Sequence, residues 1–351
     1  MPATVRGTFV AEGLPRVDVT IAIQGEHRGD AERYRYAAFT TLKILGAWLA
    51  PFPDATLAVT AGRTPWWTAP ASMAPEFAVA RAVSRRYWER AIDTGALPPS
   101  FVSGLSEYTA RRAVSKIVDE QYRAVYRSRA EGRYFGGFVP RDLRVQLRVE
   151  DEGDPIGADA AGARALLTLG TLARWTGQPV FDAILLEFVN ASAGRRPTLD
   201  DFSHVASRVS GQNLSWLVDD ALKTSGDFDY AVETFDSTAQ GDGRFRTIVT
   251  VRRVGDAAFS RGLGVLTTFA DGERVREVFD GRATSQTFEY RSPSRAVSAE
   301  VDPDRVLLLD LNRRNNGVTL DPGPARTAAR RWSARWMIWL EDALLTYVAF
   351  T

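Results

Sequence analysis

Residues 34–60 read YRYAAFTTLKILGAWLAPFPDATLAVT, and this stretch decides much of the fold. Its first part repeats apolar side chains at helical spacing, which predicts a helix over Asp30–Trp48 that two following prolines end. A short strand is predicted next, at Ala55–Thr60, and the alternation of apolar and polar residues in Val17–Ile23 predicts another strand upstream. The N-terminal part of the chain is therefore expected to combine strands with helices.

The downstream chain changes texture at Gly226. Before that point the periodicity predicts helices at residues 76–91, 106–131, 157–175, 180–190, 199–209 and 214–222. After it, short β-branched and aromatic runs predict strands at residues 230–235, 245–254, 263–269, 274–279, 284–290 and 306–310, with Asp271-Gly272 as a hairpin turn. We predict a mostly helical domain over residues 1–227, a small antiparallel β-sandwich over 228–322 and an amphipathic helix over 323–351.

The composition excludes several classes of function. The 351 residues carry 44 Lys and Arg against 43 Asp and Glu, so the net charge of +1 gives no field that would attract nucleic acid. The absence of cysteine excludes disulfides, thiolate zinc sites and cysteine nucleophiles, and two histidines, His27 and His204, cannot build a histidine-rich zinc site. No signal-peptide pattern begins the chain and no apolar run is long enough for a transmembrane helix, which leaves the compartment open.

Three stretches in this order resemble the aminopeptidase N-like zinc metallopeptidases, or gluzincins. Residues 34–60 are similar to the helix, Trp-x-x-Pro-Phe/Tyr-Pro turn and strand of that family, and residues 162–222 are similar to its later helices. Residues 268–281, TFADGERVREVFDG, resemble part of the β-sandwich that follows. The resemblance implies an α+β chain with a mostly helical thermolysin-like body, a small antiparallel β-sandwich and a C-terminal helix.

The zinc motif of that family is altered in this chain. Residues 76–88 read EFAVARAVSRRYW, and the final Arg-Tyr-Trp resembles the family's Gln-Phe/Tyr-Trp, which fixes the register. The resemblance then puts Arg81 and Arg85 at the two histidine ligands, Ala82 at the general base and Ser103 at the glutamate ligand. Asp159, before Gly162, takes the place of the oxyanion-stabilising tyrosine. We therefore expect no catalytic residues, no bound metal and no cofactor.

The two arginines allow two interpretations. One is that they pair with acidic residues such as Glu107 or Asp159 and fill the former cavity. The other is that two guanidiniums one helical turn apart bind a carboxylate or phosphate. For the whole chain we predict a catalytically inactive aminopeptidase-like protein that acts as a binding or assembly subunit. The alternative is an active peptidase or hydrolase using other residues, or a peptide-binding module.

The C-terminal helix is a predicted interface. Its aromatic and aliphatic residues recur at helical spacing, and a run of arginines precedes them. We expect residues 326–350 to dock on protein, either the chain's own domain or other subunits, with an interfacial membrane anchor as the alternative. The side chains of this stripe are Trp332, Trp336, Trp339, Leu340, Leu344 and Tyr347.

Overall fold

The structure is a computed structural model that describes residues 3–23, 31–62, 74–117, 155–224 and 226–320. It divides into two compact units. The first comprises residues 3–227 together with Val306–Leu311, and the second comprises Phe228–Arg305 and the described residues from Asn312 onward. Among the described residues, no helix has the length and hydropathy needed to cross a bilayer.

The first unit begins with a three-stranded sheet in the order β1-β2-β3. Strands β1 (Ala3–Ala11) and β2 (Leu14–Ile23) form a hairpin whose turn includes Gly13 at φ +72°, a conformation that glycine adopts without strain. Helix α1 (Ala31–Trp48) then crosses over to β3 (Thr56–Ala61), which pairs parallel to β2, because parallel strands require such a connection. The strands and helix predicted from residues 17–60 are confirmed, whereas β1 was not predicted.

Helices build the rest of the first unit. They are α2 (Ala74–Ala91), α3 (Pro99–Val114), α4 (Pro155–Thr176), α5 (Gln178–Ala191), α6 (Leu199–Ser210) and the short α7 (Ser215–Val218), which continues as a π-helical turn over Asp219–Lys223. Helix α3 begins seven residues before the predicted helix of residues 106–131, since proline is well suited to the first helical position. The part of that prediction beyond residue 117 lies outside the described residues.

The first unit also contains the segment Val306–Leu311. Leu307, Leu308 and Leu309 are buried, and the Leu308 amide donates a hydrogen bond to Thr171 Oγ1 on α4 at 3.0 Å. Gly170 lies so close that a Cβ there would be 2.8 Å from the Leu308 side chain. The strand predicted at residues 306–310 is therefore wrong, because this apolar run packs against a helix and not in a ladder.

The second unit consists of two antiparallel sheets, β4-β5-β8 and β10-β9-β6-β7. The strands are β4 (Tyr230–Ala239), β5 (Phe245–Arg253), β6 (Leu263–Phe269), β7 (Arg274–Phe279), β8 (Ser285–Ser292), β9 (Ala296–Val301) and β10 (Gly317–Thr319). The sheets pack on each other through pairs such as Phe269 and Tyr290, whose ring centroids are 6.0 Å apart. The hairpin at Asp271-Gly272 is confirmed between β6 and β7, whereas β9 and β10 were not predicted.

Candidate functional site

The three motif positions on α2 lie on the side of the helix that is less buried. The more buried side carries Ala80, Val83 and Tyr87, and Arg81 borders it, one turn after the buried Phe77. Arg81 and Ala82 are partly exposed, and the side chain of Arg85 is 72% exposed. Arg81 and Arg85 are one turn apart and therefore neighbours on the helix surface, with Arg85 the more exposed of the two.

The ion pairs of this region differ from those predicted. Arg85 Nε donates to Glu89 Oε1 at 3.0 Å, one turn along the same helix. Glu107, which is buried on α3, accepts a hydrogen bond from Arg111 Nη2 at 3.2 Å. Within the described part of the chain, Arg81 makes no ion pair or hydrogen bond. The interpretation that Arg81 and Arg85 pair with acidic residues such as Glu107 or Asp159 is therefore wrong for Glu107, and the Asp159 side chain lies outside the described residues.

The residues after the altered motif fix the orientation of α2. Tyr87 donates a hydrogen bond from its hydroxyl to the Ala50 carbonyl at 3.0 Å, at the turn that follows α1. Burial raises the pKa of Tyr87 far above its usual value, so the phenol remains neutral and a donor. Trp88 donates from Nε1 to Thr109 Oγ1 on α3 at 3.2 Å. This aromatic pair of the motif therefore joins α2 to two neighbouring elements.

Ser103 lies where α3 crosses α4. A Cβ built on Gly162 would be 3.1 Å from Ser103 Oγ, so the serine packs directly on this glycine. One residue further, a Cβ on Gly104 would lie 2.7 Å from Ala165 Cβ and 2.9 Å from the Leu166 amide nitrogen. The fold thus brings together two motif positions that are 59 residues apart in sequence. Asp159 falls within the range of α4, and its side chain lies outside the described residues.

The residues at these positions do not fit a zinc ion. A guanidinium stays protonated and offers no lone pair to a metal, so Arg81 and Arg85 cannot replace imidazoles. Ser103 offers a neutral hydroxyl in place of a carboxylate, and Ala82 offers no proton acceptor. No step of a reaction is therefore derived through a metal at this site.

A polar cluster near the ends of three helices was not predicted. Arg112 on α3 forms a bidentate pair with Asp182 on α5, and its guanidinium also lies over the Trp48 ring, 4.0 Å from the centroid. Gln178 donates to the same carboxylate at 2.7 Å, and its amide lies 3.1 Å from the Tyr108 hydroxyl. No local motif marks these residues, since 70 positions separate Arg112 from Asp182.

A second group that sequence reasoning missed surrounds the turn between α5 and α6. Ser192, Arg195, His204 and Arg208 line one small pocket there. His204 is exposed on the pocket wall. The spacing of Asp201, His204 and Arg208 on one helical face was the available signal.

The predicted interface of the C-terminal helix lies outside the described residues. All six of its named side chains, from Trp332 to Tyr347, fall there. His27 also lies outside the described residues.

Comparison with known proteins finds similarity in fold. No protein-family model matches the chain, and no curated protein matches its sequence. Among solved structures, the fold is similar to that of Legionella pneumophila aminopeptidase A, crystallised in complex with aspartic acid, with a TM-score of 0.55. The two chains are 10% identical, and the match covers 88% of this chain and 38% of the aminopeptidase. The chain therefore has an α+β fold like part of an aminopeptidase, and it spans well under half the length of that enzyme.

Proposed function

We propose that this chain is a catalytically inactive relative of the aminopeptidase N-like metallopeptidases that serves as a binding or assembly subunit. The supporting observation is the residue set at the altered motif. Arg81, Ala82 and Arg85 occupy the less buried side of α2, and Ser103 occupies the fourth position on α3. None of the four side chains can act as an imidazole or carboxylate ligand of zinc or as the base that activates water.

The similarity to Legionella aminopeptidase A supports the fold part of this proposal. That protein was crystallised with aspartic acid, and an amino acid or the end of a peptide is accordingly the first ligand class to test here. A chain that keeps the fold but lacks the metal ligands still has the surfaces of that fold. Binding through those surfaces would explain why the fold is retained.

The first experiment measures metal content and turnover. The purified full chain is analysed for zinc and assayed on aminoacyl-amide substrates with zinc added. We expect substoichiometric zinc and no turnover above a heat-denatured control. Turnover that a chelator abolishes would contradict the proposal and favour an active hydrolase, whereas chelator-resistant turnover would indicate an enzyme that uses other residues.

The assembly part needs a separate measurement. Native mass spectrometry or size-exclusion chromatography of the endogenous chain should find it in a species heavier than its own 38.7 kDa. A chain that runs as a free monomer in native lysate, from both soluble and membrane fractions, would contradict the assembly role and leave the metal result standing.

A further inference from the structure

A pocket of about 160 Å³ lies in the corner where α5 turns into α6, within the first unit. We call it the α5–α6 pocket. It shares no residue with the altered motif on α2 and α3. Its lining residues include Phe188, Ser192, Arg195, Asp201, His204 and Arg208.

Local sequence builds this pocket. Phe188 and Ser192 are one turn apart at the end of α5, so they face the same side. The turn that follows passes through Gly194 at φ +68°, which a glycine adopts without strain and which reverses the chain toward α6. Asp201, His204 and Arg208 then recur at intervals of three and four along α6 and face the same corner.

Two polar groups of the pocket can donate hydrogen bonds to a ligand. Ser192 is only 2% exposed, lines the pocket, and its hydroxyl makes no hydrogen bond to any described residue. Because this hydroxyl lines the pocket and is not enclosed by protein, a ligand in the pocket can accept its hydrogen bond. Arg195 has a side chain that is 68% exposed, and the one ion pair it makes with a described residue, to Asp201 Oδ1, is long at 3.8 Å.

The other charged side chains of the pocket, Asp201 and Arg208, form hydrogen bonds or ion pairs with residues outside it. Asp201 Oδ2 accepts hydrogen bonds from the Thr198 amide and hydroxyl, each at 2.8 Å, in the capping box of α6. These hydrogen bonds hold the pKa of Asp201 below its usual value, and the one from the Thr198 amide contributes most. Arg208 pairs with Glu187 at 2.7 Å. The donors available to a ligand are therefore the Ser192 hydroxyl and those N–H groups of Arg195 that its long ion pair with Asp201 leaves over, beside the His204 imidazole, which can also donate.

We propose that the α5–α6 pocket binds the oxyanion of a small ligand, either a carboxylate or a phosphate. Arg195 supplies a planar pair of donors that matches such an anion, and Ser192 supplies a third donor from the pocket wall. The buried ring of Phe188 forms an apolar wall for the carbon atoms next to a carboxylate. The volume admits a group of a few heavy atoms, which excludes a large ligand from the pocket itself.

Equilibrium dialysis of the full chain with labelled inorganic phosphate, and separately with labelled glutarate, tests this proposal at constant ionic strength. Arg195→Gln should weaken binding roughly tenfold or more, since it removes a charge-assisted pair of donors. Ser192→Ala should weaken binding about threefold. Arg196→Gln is the matched control, because Arg196 is the next residue, is similarly exposed and pairs with Asp93 outside the pocket.

Each outcome decides the proposal. Binding of phosphate alone or of glutarate alone supports it and identifies the source of the oxyanion as a phosphoryl or a carboxyl group. No binding of either probe up to about 10 mM overturns it. It is also overturned if Arg195→Gln and Arg196→Gln reduce binding equally while both variants keep the wild-type circular dichroism spectrum and melting temperature.

Discussion

Restoring histidines at Arg81 and Arg85 tests the reading of the altered motif. Arg85 is largely exposed and makes one ion pair along its own helix, a kind of pair worth about 0.3–0.5 kcal/mol. Replacing arginine by histidine inside a helix costs roughly 0.5 kcal/mol per site in propensity. The variant Arg81→His/Arg85→His should therefore lose only about 1.5 kcal/mol, whereas removing one partner of a buried ion pair costs about 3–5 kcal/mol.

Thermal unfolding followed by circular dichroism separates these two cases. A loss of about 1.5 kcal/mol lowers the melting temperature by roughly 3–6 °C for a unit of this size. A fall of more than about 10 °C would show that the two arginines are structural partners inside the protein, and would refute the placement of Arg85 at the surface.

Adding Ser103→Glu to the double variant completes the ligand set that the resemblance implies. Two imidazoles one turn apart and a carboxylate on the adjacent helix should bind about one equivalent of zinc, measured by dialysis and metal analysis. Zinc should also raise the melting temperature, because a ligand that binds only the folded chain stabilises it.

The matched control places the same histidine pair elsewhere on α2. Arg86→His/Arg90→His with Ser103→Glu has the same i, i+4 spacing. Positions 86 and 90 lie about 100° or more around the helix axis from positions 81 and 85. We expect weaker zinc binding from this control. Equal binding by both triple variants, or no binding by either, would refute the register that assigns residues 81, 85 and 103 to the ligand positions.

Three further predictions concern stability and can be checked by urea or thermal unfolding. Arg112→Leu should cost about 2–3 kcal/mol, because it leaves the largely buried Asp182 carboxylate without its bidentate partner and removes the contact with an indole ring; a loss below about 0.5 kcal/mol would contradict this. Gly104→Ala should cost at least about 1–3 kcal/mol, since the new methyl group meets backbone atoms of α4, whereas Gly62→Ala, where a Cβ meets nothing within 4 Å, should be nearly neutral. Asp201→Asn should remove a stabilisation that depends on pH: the lowered pKa of Asp201 means that its contribution is complete above the unfolded value near 3.8 and is lost as the pH falls through the folded value. Wild type and variant should therefore differ in stability at pH 6 and converge at strongly acidic pH.

The amino-acid sequence determined the elements whose neighbours are close along the chain. The alternation of Val17, Val19 and Ile21 fixed β2, since one face of the strand is buried and the other is not. Asp271-Gly272 fixed the β6–β7 hairpin, because the turn needs a residue at positive φ and Gly272 supplies φ +93°. The sequence also predicted that residues 76–91 form a helix, although the partners of its arginines could not be predicted from it.

Only the tertiary structure decided which distant residues meet. An apolar run such as Val306–Asp310 has the same pattern whether it pairs in a sheet or packs on a helix, and it is the hydrogen bond from Leu308 to Thr171 that distinguishes the two. Ser103 and Gly162 meet because α3 and α4 cross at small residues, and no local signal records that crossing. The Ser192 hydroxyl likewise lines a pocket only because α6 folds back over the end of α5.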